Sequence, residues 1–157
     1  MLMVFTQEGY SGTLLEITLN ELVSKKNNYI VIKQNKHFGN HSRRKCLIPN
    51  QRYKQWEENT YKIMLGQTHF KPPEIDRKTY VLFIFPHNLR LDIDNALTGL
   101  FECLQKSRIF KNDKYIVPLT TMEKANGTTK VRILIPENRQ DKRAILEKLS
   151  ESYFDNF

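Results

Sequence analysis

The run Thr79-Tyr-Val-Leu-Phe-Ile-Phe85 is the most continuous apolar stretch in the chain. Its β-branched and aromatic residues predict a strand. Its lack of polar alternation predicts a central strand, buried on both faces. From Asp92 to Lys106 the period changes. Ile93, Leu97, Leu100, Phe101 and Leu104 recur at helical spacing and predict an amphipathic helix. A second helix is predicted after Pro49, from about Asn50 to Leu65, with Tyr53, Trp56, Thr60, Ile63 and Met64 on one face. Shorter strands are predicted at Leu14 to Leu19, Tyr29 to Lys33, Lys45 to Ile48, Tyr115 to Met122 and Thr129 to Ile135. Asn126-Gly127 between the last two is a hairpin signal. His37 to Ser42 reads as a turn, and Gly66 to Lys78, with Pro72-Pro73, as a loop. Arg139 to Ser150 predicts a closing helix with Ile145, Leu146 and Leu149 inward. The expected architecture is one α/β (α+β) domain over 1–157, a mixed sheet with helices packed on it. Residues 1–13 are expected to be a flexible or additional N-terminal segment.

Composition adds little until charge is located. The chain has 157 residues, 39% of them hydrophobic, enough for one domain with a real core. No apolar run approaches the roughly 20 residues needed to span a bilayer. Residues 1–13 do not follow the secretory-signal pattern. Cys46 and Cys103 offer neither a disulfide framework nor zinc-ligand spacing. A reduced, cytoplasmic setting is the expectation. The formal charge is +8. Lys25 to Lys54 holds nine basic residues and no Asp or Glu, while the rest of the chain carries 16 basic and 17 acidic residues. All of the excess positive charge therefore sits in one segment. A polyanion is its natural partner, since each neutralised phosphate releases condensed counterions. A solvated basic surface is the plain alternative. A membrane surface fits less well, because no apolar stripe opposes the basic residues on a shared helical face.

The segment Arg90-Leu-Asp92-Ile-Asp94-Asn95 stands where a strand gives way to a helix. If it is extended, Asp92 and Asp94 point the same way and face one site. Hard cations such as Mg²⁺ take a few carboxylates and keep waters and substrate phosphates as other ligands. Asp113 lies in the polar turn Lys111-Asn-Asp-Lys114 after the helix. The turn is expected to bring it within ligand distance of the other two. The competing explanation is structural: Asp is a favoured helix N-cap, and Asn112-Asp113 is ordinary turn chemistry.

The wider pattern is similar to one known family. Asp92-Ile-Asp-Asn95, then Leu100-Phe-Glu-Cys-Leu104, then Ile109-Phe-Lys-Asn-Asp113 resembles the RusA family of Holliday-junction resolvases. That family has DxDN, a helix with an L-x-D-A-L-like stretch, a D-D turn and a strand ending in Lys. Here Lys124 follows the strand. Upstream, Ser24-Lys-Lys-Asn-Asn28 and Ile48-Pro-Asn-Gln-Arg-Tyr-Lys-Gln-Trp56 resemble the family's first loop and helix entry. The likeness runs from about Leu14 to Ile135. It implies an α/β homodimer, a crossover junction endodeoxyribonuclease that binds four-way DNA and cuts two strands of like polarity. It also implies dependence on Mg²⁺, with Mn²⁺ as a substitute, held by Asp92, Asp94 and Asp113. Two positions depart from the pattern. Thr98 stands where the family has a Lys, and Asn112 replaces the first Asp of the D-D pair. Lys124 is the expected catalytic replacement for the missing charge, with Lys114 and Arg90 as other candidates. Glu102 falls where the family has a helix acid, either bordering the site or simply solvated.

The mechanism expected is metal-assisted phosphodiester hydrolysis. His37, His41, His69 and His87 show no paired metal spacing and are expected on the surface. Lys25, Lys26, Lys33, Arg43, Arg44 and Lys45 are the expected DNA-backbone contacts, with Phe38 as a stacking candidate and Tyr29 as another that core packing suits better. Three rivals stand beside this reading. One is a junction-binding protein of the same fold with weakened catalysis. The second is an RNA-directed module. The third is an interaction protein whose acids only cap helices. No small-molecule substrate is expected.

Overall fold

A computed structural model describes residues 2–7, 10–23, 29–33, 45–123 and 127–136. The predicted closing helix over 139–150 lies outside them. Five strands form the main sheet: β1 (Leu2–Gln7), β2 (Tyr10–Leu19), β5 (Thr79–Pro86), β6 (Ile116–Glu123) and β7 (Thr129–Pro136), in the order β1-β2-β7-β5-β6. Only the β5–β6 pair is parallel, so the sheet is mixed. β3 (Tyr29–Lys33) and β4 (Lys45–Pro49) pair antiparallel as a separate ribbon. Two helices, α1 (Gln51–Gln67) and α2 (Ile93–Lys106), complete the frame. The α+β class is as the periodicity implied. Residues 2–7 and 10–13, expected to be flexible or additional, form β1 and the start of β2.

The helices lie against one face of the sheet. Leu15, Ile17 and Leu19 of β2, Val81, Phe83 and Phe85 of β5, and Val131 and Ile133 of β7 share one core. Tyr53, Trp56 and Met64 of α1 and Ala96, Leu100, Cys103 and Leu104 of α2 fill it from the other side. Each large apolar side chain removed from water stabilises the fold by roughly 1.5–3 kcal/mol. The opposite face is mixed. Leu82, Ile84 and Leu134 form a small cluster there. Arg132 is bonded to Glu16, its cross-strand partner, and Lys130 to Glu123 at 3.2 Å. β5 is thus buried on both faces, as expected of its unbroken apolar run.

The hairpin expected at Asn126-Gly127 does not form. β6 and β7 flank β5 on opposite sides and do not pair with each other. β5 has apolar residues for both faces and takes the inner place. β6 alternates between half-buried and exposed positions and carries Pro118, which cannot donate to a ladder, so it suits an edge. α2 packs its expected stripe on the core, with Leu100 and Leu104 fully buried, but the buried side extends to its small residues. Ala96, Gly99, Leu100, Cys103 and Leu104 are buried, whereas Ile93, Leu97 and Phe101 are only half-buried. The reason is close approach between the helices. A Cβ on Gly99 would lie 3.1 Å from Trp56 Cη2 and 3.5 Å from the Tyr53 hydroxyl.

Candidate metal centre and nucleic-acid interface

The apolar strand β5 ends at Pro86, and a short link leads to α2. Asp92 is the residue just before the helix, with φ −64° and ψ 138°. This is the N-cap position, where an Asp side chain usually accepts a backbone N–H of the first turn. Asp92 makes no such bond. Its Oδ2 instead accepts from Asn95 Nδ2 at 3.2 Å, and the side chain is exposed. Asp94 is exposed in the first turn. The pair is therefore not on an extended segment, as the sequence suggested. Both acids stand at one helix N-terminus, whose partial positive charge favours carboxylates.

The other N-caps behave differently. Asn50 Oδ1 accepts from Tyr53 N–H at 2.9 Å at the start of α1. Asn112 Oδ1 accepts from Lys114 N–H at 3.1 Å and opens the 3-10 turn Asp113–Tyr115. That turn accounts for Asn112, the position where the family pattern has an Asp.

Asp113 is exposed, but it lies at the opposite end of α2 from Asp92 and Asp94. β5 and β6 run parallel, with Thr79 opposite Ile116 and Pro86 opposite Glu123. Asp92 follows the Pro86 end, and Asp113 precedes the Ile116 end. An isolated bridge between Ile75 and Phe110 ties the Asp113 side to the start of β5. The 14 residues of α2 separate the two groups by on the order of 20 Å. The expectation that the turn carries Asp113 back to Asp92 is corrected: within one chain it does not. Among the described residues, no three His, Cys, Asp or Glu side chains stand together as a metal site.

The residues at the α2 N-terminus nevertheless suit a hard cation. Two exposed carboxylates, one of them unused by the helix, match the small carboxylate set that Mg²⁺ takes with waters and phosphates. Asn95 is a functional candidate that the sequence reading passed over. It is 6% exposed, and its Oδ1 is buried without a hydrogen-bond partner. Its place in the Asp-x-Asp-Asn motif was the available signal.

Thr98 is exposed and gives its hydroxyl to the Asp94 carbonyl at 2.8 Å. It brings no charge to the site. Glu102 is half-buried and accepts from the Tyr53 hydroxyl at 3.0 Å, in the seam between α1 and α2. Burial, and then the negative charge of Glu102, push the Tyr53 hydroxyl pKa up. Glu102 is thus a seam residue, neither the site-bordering acid nor the solvated one expected. Lys114 lies 5.0 Å from the Tyr115 ring centroid, on the Asp113 side of the molecule. Lys124 falls outside the described residues.

Of the basic candidates, Lys33 and Lys45 end the β3–β4 ribbon directly opposite each other. Lys25, Lys26, Arg43 and Arg44 lie outside the described residues, as do Phe38 and the expected turn at His37 to Ser42. Among the described residues no helix is long and apolar enough to cross a membrane.

Among curated proteins none matches this chain. The family model for endodeoxyribonuclease RusA matches residues 29–136, which include the ribbon, both helices, the Asp-x-Asp-Asn motif and Asp113. That span is well over half of the 157 residues, and the chain belongs to the RusA family of endodeoxyribonucleases, the Holliday-junction resolvases.

Proposed function

We propose that this protein is a Mg²⁺-dependent endonuclease that resolves four-way DNA junctions in recombination and repair, working as a homodimer. Mn²⁺ is the expected substitute ion. The observation that carries this reading is the Asp92 carboxylate, which sits at the cap position of α2 and leaves the helix N–H groups alone. Asp92 and Asp94 hold the cation, which when bound lowers the pKa of its water and neutralises phosphoryl oxygens. The lysines paired at the end of the ribbon, with Lys25, Lys26, Arg43 and Arg44, grip backbone phosphates and set the register of the DNA. Lys124 serves the developing charge on the phosphate.

Asp113 completes the site from a second copy. Its separation from Asp92 along α2 makes a site within one chain impractical. A two-fold dimer can bring Asp113 of each copy to Asp92 and Asp94 of the other. Two such sites would match two cuts in a symmetric junction.

One experiment tests both parts: nicking of a labelled four-way junction with and without Mg²⁺. Wild type should cut only with the ion. Asp94→Asn and Asp113→Asn should each lose at least ~10²-fold while still binding the junction. Subunits of the two variants, unfolded together and refolded as mixed dimers, should regain activity. One of the two sites then has all three acids. A mixture as inactive as its parents would exclude the shared site, and cutting by Asp94→Asn would exclude the metal assignment.

A second reading is favoured by Thr98. Its uncharged hydroxyl is bonded to its own helix where the family carries Lys. On that reading the protein binds junctions and cuts them poorly. Tight binding with no nicking in Mg²⁺ or Mn²⁺ would establish it.

A further inference from the structure

Asn95 is the third residue of α2 and is 6% exposed. The buried positions after it are Ala96, Gly99 and Leu100. An apolar residue would suit the same stripe. Instead the position holds an amide whose two ends differ. Nδ2 donates to Asp92 Oδ2 at 3.2 Å, while Oδ1 is buried with no partner. A buried polar atom left unsatisfied costs about 1–3 kcal/mol. The amide orientation follows from chemistry, since a reversed amide would set its oxygen against the Asp92 carboxylate.

Helix capping does not account for this bond. In a capping box the third helical residue reaches back to the backbone N–H of the cap residue. Asn95 reaches the cap residue's carboxylate, and that carboxylate bonds no N–H of the helix.

We propose that Asn95 is the positioning residue of the metal centre. Its Nδ2 fixes one Asp92 oxygen and so aims the carboxylate at the cation. Its Oδ1 stays buried and unpartnered, a cost that the position carries for the sake of the Nδ2 bond. The proposal rests on the reading of Asp92 as a metal ligand. Partners that orient a ligand in this way typically matter 10–100-fold in metal affinity.

The test uses Mn²⁺ alone as the probe, titrated calorimetrically into the full-length protein without DNA. Wild type should bind, Asp92→Asn should lose binding, and Asn95→Ala and Asn95→Leu should each bind about 10–100-fold more weakly. Metal-free thermal unfolding supplies the second readout. Asn95→Leu removes the unsatisfied oxygen, so its midpoint should equal or exceed that of wild type. Asn95→Leu also serves alone if Asn95→Ala does not fold. No Mn²⁺ binding by wild type, or unchanged binding by Asp92→Asn, would overturn the Asp92 reading and this proposal with it. Loss in Asp92→Asn with wild-type affinity in both Asn95 variants would overturn this proposal only. So would a lowered midpoint in Asn95→Leu with affinity unchanged, which marks a purely structural amide.

Discussion

Helices α1 and α2 begin from similar backbone conformations and use their cap residues differently. Asn50 before α1 has φ −69° and ψ 170°, and Asp92 before α2 has φ −64° and ψ 138°. Asn50 takes the Tyr53 N–H and so satisfies one orphan donor of its helix. Asp92 is as good a cap residue by type, yet it faces solvent and is held by Asn95. A side chain with a structural task available and not performed is a better candidate for chemistry than one that is merely polar and exposed. The contrast also bears on two readings that spacing alone left open, cap or ligand.

The strongest way to break the contrast is Asp92→Asn. The substitution keeps an acceptor for Asn95 and removes the charge. Junction cleavage in Mg²⁺ should fall at least ~10²-fold, with junction binding retained. Cleavage at the wild-type rate would return Asp92 to the role of Asn50.

The same contrast marks what was legible in the sequence. The elements of the α1–β5–α2 frame followed from periodicity, because each element's spacing is local. Asp92 and Asp94 were legible as a pair for the same reason. Their conformation was not, since a strand end and a helix start differ only in backbone angles there. The place of Asp113 depended on which way β6 runs beside β5, and that pairing is long-range. Gly127 takes the positive φ of 64° that suits a turn, but a local signal could not see that β5 lies between the two strands. Pro118 was the residue that pointed to an edge. In α2, hydropathy marked Ile93, Leu97, Leu100, Phe101 and Leu104, all of them on the core, but not Ala96 and Gly99, whose burial is a matter of fit across the seam between two helices.

That seam carries the next prediction, because it fixes where α2 presents its N-terminus. Gly99→Ala would press a Cβ to 3.1 Å from the Trp56 ring. Overpacking of this kind costs typically ~1–3 kcal/mol, offset by about 1 kcal/mol of gained helix propensity. Denaturant unfolding should show a net loss, larger than any from the exposed Asp94. An unchanged midpoint would mean that the seam yields and does not define α2. Alkali attacks the same seam. Burial pushes the Cys103 thiol up to about 12 from 9.0. The thiol stays protonated in the folded state at pH values where the unfolded chain would lose its proton. Its contribution to stability is therefore complete below about pH 9 and lost as pH rises towards about 12. Unfolding midpoints across that range should fall, and less steeply in Cys103→Ala than in wild type.

The smallest effect sharpens the contrast most directly. Asn50→Ala removes a formed cap bond and should cost about 1 kcal/mol, or roughly 2–4 °C in Tm for a chain of this size. Asp92→Asn removes no cap bond, because none is present. It forgoes only a carboxylate's interaction with the helix N-terminus, about 0.3–1 kcal/mol. Asn is an equally good cap by type and can regain part of that by turning toward the first-turn N–H groups. Its metal-free Tm should therefore stay within about 1 °C of wild type, while Asn50→Ala leaves cleavage per folded molecule unchanged. If Asp92→Asn instead loses as much stability as Asn50→Ala, the two helix starts are equivalent. The bond from Asn95 would then be part of the scaffold, and the case for Asp92 would rest on its place in the family motif alone.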